Sequence, residues 1–138
     1  MKCLRRLLAI PAAITLSLGT AEFTPAQTVQ LSPNFNPNPM VLTGTSGGSG
    51  AKTCGNLPAG PSQTITLTQA MDLTFRVQGA NSLTLMLKAP DGGEFCVISD
   101  GSGNPLEQPG YWNAGTYQVY IGDRTPTGHA YTLSITRN

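Results

Sequence analysis

The sequence predicts an all-β protein: a small antiparallel β-sandwich of six to eight strands, closed by one disulfide. Three observations carry this. Apolar residues recur at every second position in five separate runs, the period of half-buried strands. Gly contributes 16 and Pro 11 of the 138 residues, and many of them fall between those runs, where turns need them. Charged residues make up only 11%, too few to cover the wet faces of long amphipathic helices.

Residues 1–26 read as a secretory signal peptide. Lys2, Arg5 and Arg6 form a basic start, and Leu7 to Leu18 is mostly apolar. Thr24-Pro25-Ala26 before Gln27 offers a small-residue cleavage site, and Gly19-Thr20-Ala21 offers a second. The apolar run of about 12 residues is too short for a spanning helix, so no membrane span is expected after cleavage. Cys3 precedes that run and leaves with the peptide. The remaining chain carries Lys52, Arg76, Lys88, Arg124 and Arg137 against Asp72, Asp91, Glu94, Asp100, Glu107 and Asp123, a net charge of −1. No basic stripe exists to displace counterions from phosphates, so no nucleic-acid partner is expected. Export and an even cysteine count predict a Cys54–Cys96 disulfide. The expected location is secreted, in the periplasm or outside the cell.

Residues 27–40 hold Pro33, Pro37 and Pro39 among Asn and Gln, which predicts an extended, irregular arm. The sandwich is expected over residues 41–138. Met40-Val41-Leu42 reads as a short first strand, and residues 43–50 as a flexible Gly/Ser loop. Five alternating runs then place Ile65 and Leu67; Leu73, Phe75 and Val77; Leu83, Leu85 and Leu87; Tyr117, Val119 and Ile121; and Tyr131, Leu133 and Ile135 on inward faces. Met86 falls on the opposite face from Leu85. Phe95 to Ile98 is apolar throughout, which fits burial on both faces or cover on one by the Cys54 segment.

These strands and turns are similar to the bacterial pre-peptidase C-terminal domain. The resemblance rests on Leu73–Val77, Leu83–Leu87, Ala89-Pro90-Asp91-Gly92-Gly93, Gly115-Thr116-Tyr117-Gln118-Val119-Tyr120-Ile121-Gly122 and the closing Tyr131-Thr132-Leu133-Ser134-Ile135-Thr136. Leu31-Ser32-Pro33-Asn34-Phe35, Ser46-Gly47-Gly48, Cys54 and Cys96 further resemble stand-alone secreted relatives of cyanobacteria. The resemblance implies a jelly-roll-like sandwich over roughly residues 31–136. Its relatives often carry paired aspartates after the second cysteine. Here Val97-Ile98-Ser99 follows Cys96, and Asn81-Ser82 stands where an earlier Asp is expected, so an acidic cluster is depleted.

Four constellations bear on function. Gly44-Thr45-Ser46-Gly47-Gly48 matches the nucleophile-elbow pattern, and Asp100 or Asp123 and then His129 follow in hydrolase order. No helical pattern follows Ser46, so a flexible loop is expected and no catalytic residue is assigned. His129, the single histidine, reads as a turn residue. Asp100, Ser102 and Asn104 place oxygens at alternate positions, as weak calcium loops do, with Asp91 and Asp123 as auxiliary ligands. No other cofactor is expected. Tyr111, Trp112 and Tyr120 offer an aromatic platform for sugar rings, with Trp112 alternatively plugging one end of the sandwich. The expected function is a non-enzymatic, secreted binding or accessory module, meeting an unidentified protein or polysaccharide at the cell surface. The alternatives are a carbohydrate-binding or calcium-stabilised adhesion module, and a small hydrolase using Ser46 or the carboxylates.

Overall fold

The computed structural model describes residues 27–138, so the expected signal peptide lies outside the described residues. Nine strands form in chain order: β1 (Gln27–Leu31), β2 (Met40–Thr45), β3 (Gln63–Leu67), β4 (Met71–Gly79), β5 (Leu83–Lys88), β6 (Glu94–Ile98), β7 (Leu106–Trp112), β8 (Gly115–Asp123) and β9 (Ala130–Arg137). They build two sheets. The first runs β1-β3-β8-β5-β6 and the second β2-β9-β4-β7. All neighbours are antiparallel except β1 and β3. Every inward residue named by alternation is buried, from Ile65 to Ile135, and together they form one core between the sheets. The hydrophobic pattern therefore fixed the register, since a slip of one residue would turn each set to solvent.

The strand count exceeds the expected six to eight because two strands hide behind weak patterns. β7 reads Leu-Glu-Gln-Pro-Gly-Tyr-Trp, with a proline opposite Thr74 of β4. Proline cannot donate to a ladder, but β7 is an edge strand and tolerates it. The expected irregular arm is corrected over its first part. Gln27–Leu31 runs parallel to β3, and Leu31 is fully buried. Val29 and Leu31 supply the inward side chains, and the prolines begin only at Pro33. The rest of the arm is irregular but anchored: Phe35 is buried beneath the Arg137 guanidinium, 5.1 Å from its ring centroid. Arg137 also donates to the Pro33 carbonyl at 3.1 Å.

The loop between β2 and β3 folds over the outer face of the first sheet. The disulfide between Cys54 in this loop and Cys96 on edge strand β6 is formed, across a Cα separation of 6.0 Å. Beneath the loop, Cys54, Leu57, Met86 and Tyr120 make a second, smaller core. Met86 is thus not on an open face, and β5 is buried on both sides. The contact is close at Gly122, where a Cβ would lie 2.5 Å from Thr84 Oγ1 and 2.9 Å from the Cys54 carbonyl. The reading of Phe95–Ile98 as doubly buried is corrected. Phe95 is 42% and Ile98 52% exposed, because among the described residues no strand pairs beyond β6.

Candidate functional site

Among the described residues, the most connected polar cluster lies at one end of the sandwich. It joins Ser46 just after β2, Asp123 at the end of β8 and His129 just before β9. Asp123 is fully buried. Its Oδ2 accepts hydrogen bonds from Ser46 Oγ at 2.7 Å and His129 Nδ1 at 2.7 Å. Its Oδ1 accepts from the Thr125 amide at 2.9 Å and the Thr125 hydroxyl at 2.7 Å. Burial alone pushes the Asp123 pKa up. Hydrogen bonds from His129, Ser82, Thr125 and Ser46 outweigh that and hold the carboxyl well below the usual carboxylate range. The ionised Asp123 acts only as acceptor, so Nδ1 of His129 carries the proton.

The main chain locks the same segments together. The Ser46 amide donates to the His129 carbonyl at 2.8 Å, and the His129 amide donates to Ser46 Oγ at 2.9 Å. Asn56, in the disulfide-tethered loop, donates through its amide to the Asp123 carbonyl at 2.7 Å and through Nδ2 to the Thr125 carbonyl at 2.9 Å. The segments around Ser46, Asn56 and Asp123–His129 thus meet at Asp123, the first and last at its carboxylate and Asn56 at its main-chain carbonyl.

The three residue types of a serine-hydrolase triad are therefore adjacent, but their order is wrong for the chemistry. In a triad the imidazole lies between serine and carboxylate and takes the serine proton. Here the carboxylate lies in the middle and accepts the serine's hydrogen bond itself. Ser46 is 3% exposed, so a substrate carbonyl has no approach to it. The amide after an elbow nucleophile should stabilise an oxyanion, but the Gly47 amide donates to the Ile121 carbonyl at 2.9 Å. Gly47 holds φ of +80°, a turn conformation and not a strand-to-helix elbow. The arrangement clamps backbone segments. The sequence singled out Ser46, Asp123 and His129, but the clamp was missed because residue order cannot reveal which group takes the central position.

The oxygens of the Asp100 loop are turned back on their own main chain. Asp100 Oδ1 accepts from the Ser102 amide at 2.8 Å, and Ser102 Oγ from the Asn104 amide at 3.2 Å. These are side-chain turns of the kind Asp and Ser favour. The hydrogen bonds from Ser102 lower the Asp100 pKa. Asp91 caps its own turn, accepting from the Gly93 amide at 2.8 Å, and Asp123 is committed to the clamp, so neither completes a cation site with Asp100. Among the described residues no group of three His, Cys, Asp or Glu is placed to hold a metal.

The aromatic platform is also corrected. Trp112 lies in the core, edge-on to Phe75, Phe95 and Tyr117 at 5.2, 5.5 and 5.7 Å, and its Nε1 donates to the Leu73 carbonyl at 3.1 Å. Tyr120 is buried under the tethered loop, with Lys88 Nζ 5.3 Å from its ring centroid. Only Tyr111 is open, at 70% exposure, and it stands on the outer face of the other sheet. Side chains alternate along a strand, so neighbours Tyr111 and Trp112 face opposite ways.

No family model matches the chain. An uncharacterized protein of Synechococcus elongatus is 33% identical over 134 residues, which cover 94% of this chain and 92% of that protein. Among solved structures, the pre-peptidase C-terminal domain of a collagenase from Bacillus anthracis superposes with a TM-score of 0.53 at 14% identity, covering 83% of this chain and 100% of that domain. PliG of Aeromonas hydrophila, a periplasmic inhibitor of g-type lysozyme, superposes with a TM-score of 0.44 at 14% identity, covering 82% of this chain and 99% of that one. The chain belongs to the family of the Synechococcus elongatus protein, and its sandwich has the fold of the bacterial pre-peptidase C-terminal domain.

Proposed function

We propose that the protein is an exported, non-catalytic binding or accessory module that works in the periplasm or outside the cell. The wiring of Ser46 carries this reading. Its hydroxyl is held in a hydrogen bond to the ionised Asp123, its oxygen accepts from the His129 amide, and the group is buried. A nucleophile needs a base strong enough to take its proton, where Asp123 is held well below the usual carboxylate range, and access to substrate. An accessory role also suits a fold that, in the Bacillus anthracis protein, is a domain of a collagenase. Export is supported by the signal-like start and by the Cys54–Cys96 disulfide, a bond that persists in oxidising compartments. Cleavage after Ala26 or Ala21 leaves β1 whole, since its first paired residue is Gln27.

A fluorophosphonate probe tests the reading, together with ester and peptide substrates. The expected result is no label on Ser46 and no turnover beyond that of Ser46→Ala. Labelling of Ser46, or turnover lost in Ser46→Ala, overturns it.

A further inference from the structure

We propose that the outer face of the β2-β9-β4-β7 sheet binds a neutral oligosaccharide chain, lying between Tyr111 at one end and a threonine-lined depression at the other. This deepens the binding-module reading and rests on it. The strand register lays out the face. Thr43, Thr132 and Gln78 stand in one row across β2, β9 and β4, and Thr136, Thr74 and Pro109 in another across β9, β4 and β7. The depression holds about 540 Å³, and Thr43, Thr45, Gln78 and Thr132 are among its lining residues; none of the lining residues is charged.

Three properties select the ligand class. The first is charge. Arg76 and Glu107 on this face neutralise one another at 3.2 Å, and among the described strand residues of the face Asp72 is the other charged side chain. A polyanion gains nothing here. The second is hydrogen bonding. The hydroxyls of Thr43, Thr45, Thr132 and Thr136 can donate and accept, Thr74 gives its proton to Asn138 Oδ1 at 2.9 Å and keeps its oxygen to accept, and the Gln78 amide does both, which is the pairing that sugar hydroxyls require. The third is Tyr111, whose ring is 70% exposed beside Asp72. An open aromatic face stacks on the CH groups of a sugar ring, and a core aromatic cannot. Asp72 and Gln78 lie on the same strand about 20 Å apart, so the face suits a chain of sugars and not a single ring. The opposite outer face is closed to such a ligand over the part covered by the tethered loop.

The test is a titration of the exported, 15N-labelled protein with cellopentaose, xylopentaose, mannopentaose and maltopentaose, followed by amide shifts. At least one is expected to shift amides of β2, β4, β7 and β9 while leaving β8 unchanged. Tyr111→Ala, an exposed substitution that leaves the reference spectrum intact, is expected to weaken that binding about five- to tenfold, the range of a lost aromatic contact. Gln78→Ala weakens it as well, and Gln118→Ala on the opposite face does not. Silence with all four sugars, shifts confined to the first sheet, or full binding by Tyr111→Ala overturns the inference. Fluorophosphonate labelling reads the other proposal separately. Unlabelled Ser46 with no sugar shifts removes only the oligosaccharide, and labelled Ser46 with no sugar shifts removes both.

Discussion

The two outer faces of the sandwich start from similar sequence and end differently. On both sheets, strands alternate apolar inward residues with Thr, Ser, Gln and Lys. Over the β3-β8-β5 region the loop from Gly47 to Ser62 returns, bonded to β8 and tied by Cys54–Cys96, and it buries Met86, Tyr120 and Thr84. Over β9 and β4 no described segment returns, and Thr132, Ser134, Thr136, Arg76 and Gln78 stay half-buried or exposed. The difference teaches that alternation assigns a strand's inner face but says nothing about what a later loop lays on the outer one.

The largest expected effect breaks the cover itself. Removing the disulfide by Cys54→Ser with Cys96→Ser opens a loop of sequence separation 42, which in the chain-entropy model costs about 4 kcal/mol. Urea unfolding measures it, and a loss below about 1 kcal/mol would mean that the hydrogen bonds of the loop suffice to hold the cover.

Next comes the clamp beneath that loop. Asp123→Asn leaves buried donors facing an amide and should cost about 3 kcal/mol at neutral pH. The folded pKa of Asp123 is depressed, so its contribution is fully present above the unfolded carboxylate value. It is lost progressively as pH falls below that value toward the lower folded one. Stability of the parent protein therefore falls in acid, and Asp123→Asn flattens that fall. An equally steep acid loss in the variant would place the pH dependence elsewhere.

Smaller still is the contrast between single residues on the two outer faces. Met86→Ala should cost about 2–3 kcal/mol, in the range of a core truncation, although it opposes the inward Leu85. Arg76→Ala, on the open face and paired only with exposed Glu107, should cost under about 1 kcal/mol. Equal losses would show that both faces are covered or neither is. The smallest effect is that of calcium. With the Asp100 and Ser102 oxygens turned onto their own backbone, melts in chelator and in calcium should nearly coincide. A large calcium shift abolished by Asp100→Ala would contradict that reading.

Much of this fold was legible because a period of two is a physical requirement of a half-buried strand. Leu73-Phe75-Val77 and Leu83-Leu85-Leu87 could be read directly, and so could the disulfide, from a signal-like start followed by two cysteines. β7 was not, since Pro109 and Gly110 interrupt its pattern and edge position alone excuses them. β1 was not, since Val29 and Leu31 are too few to make a run. The exposure of Ile98 depends on there being no strand beyond β6, which no local pattern records. At the clamp, Ser46, Asp123 and His129 drew notice by type and order. Their roles depend on a carboxylate buried between the other two, a matter of three-dimensional placement.

The central claim is that the tethered loop seals part of one outer face and leaves the other open, and two tyrosines report on it directly. Tyr120 lies under the tethered loop at 9% exposure, and Tyr111 stands on the open face at 70%. Hydroxyl-radical footprinting of the oxidised protein, read by peptide mass, should modify Tyr111 rapidly and leave Tyr120 and Met86 protected. Modification of Tyr120 at the rate of Tyr111 would show that the loop does not cover the first sheet, and would contradict the account.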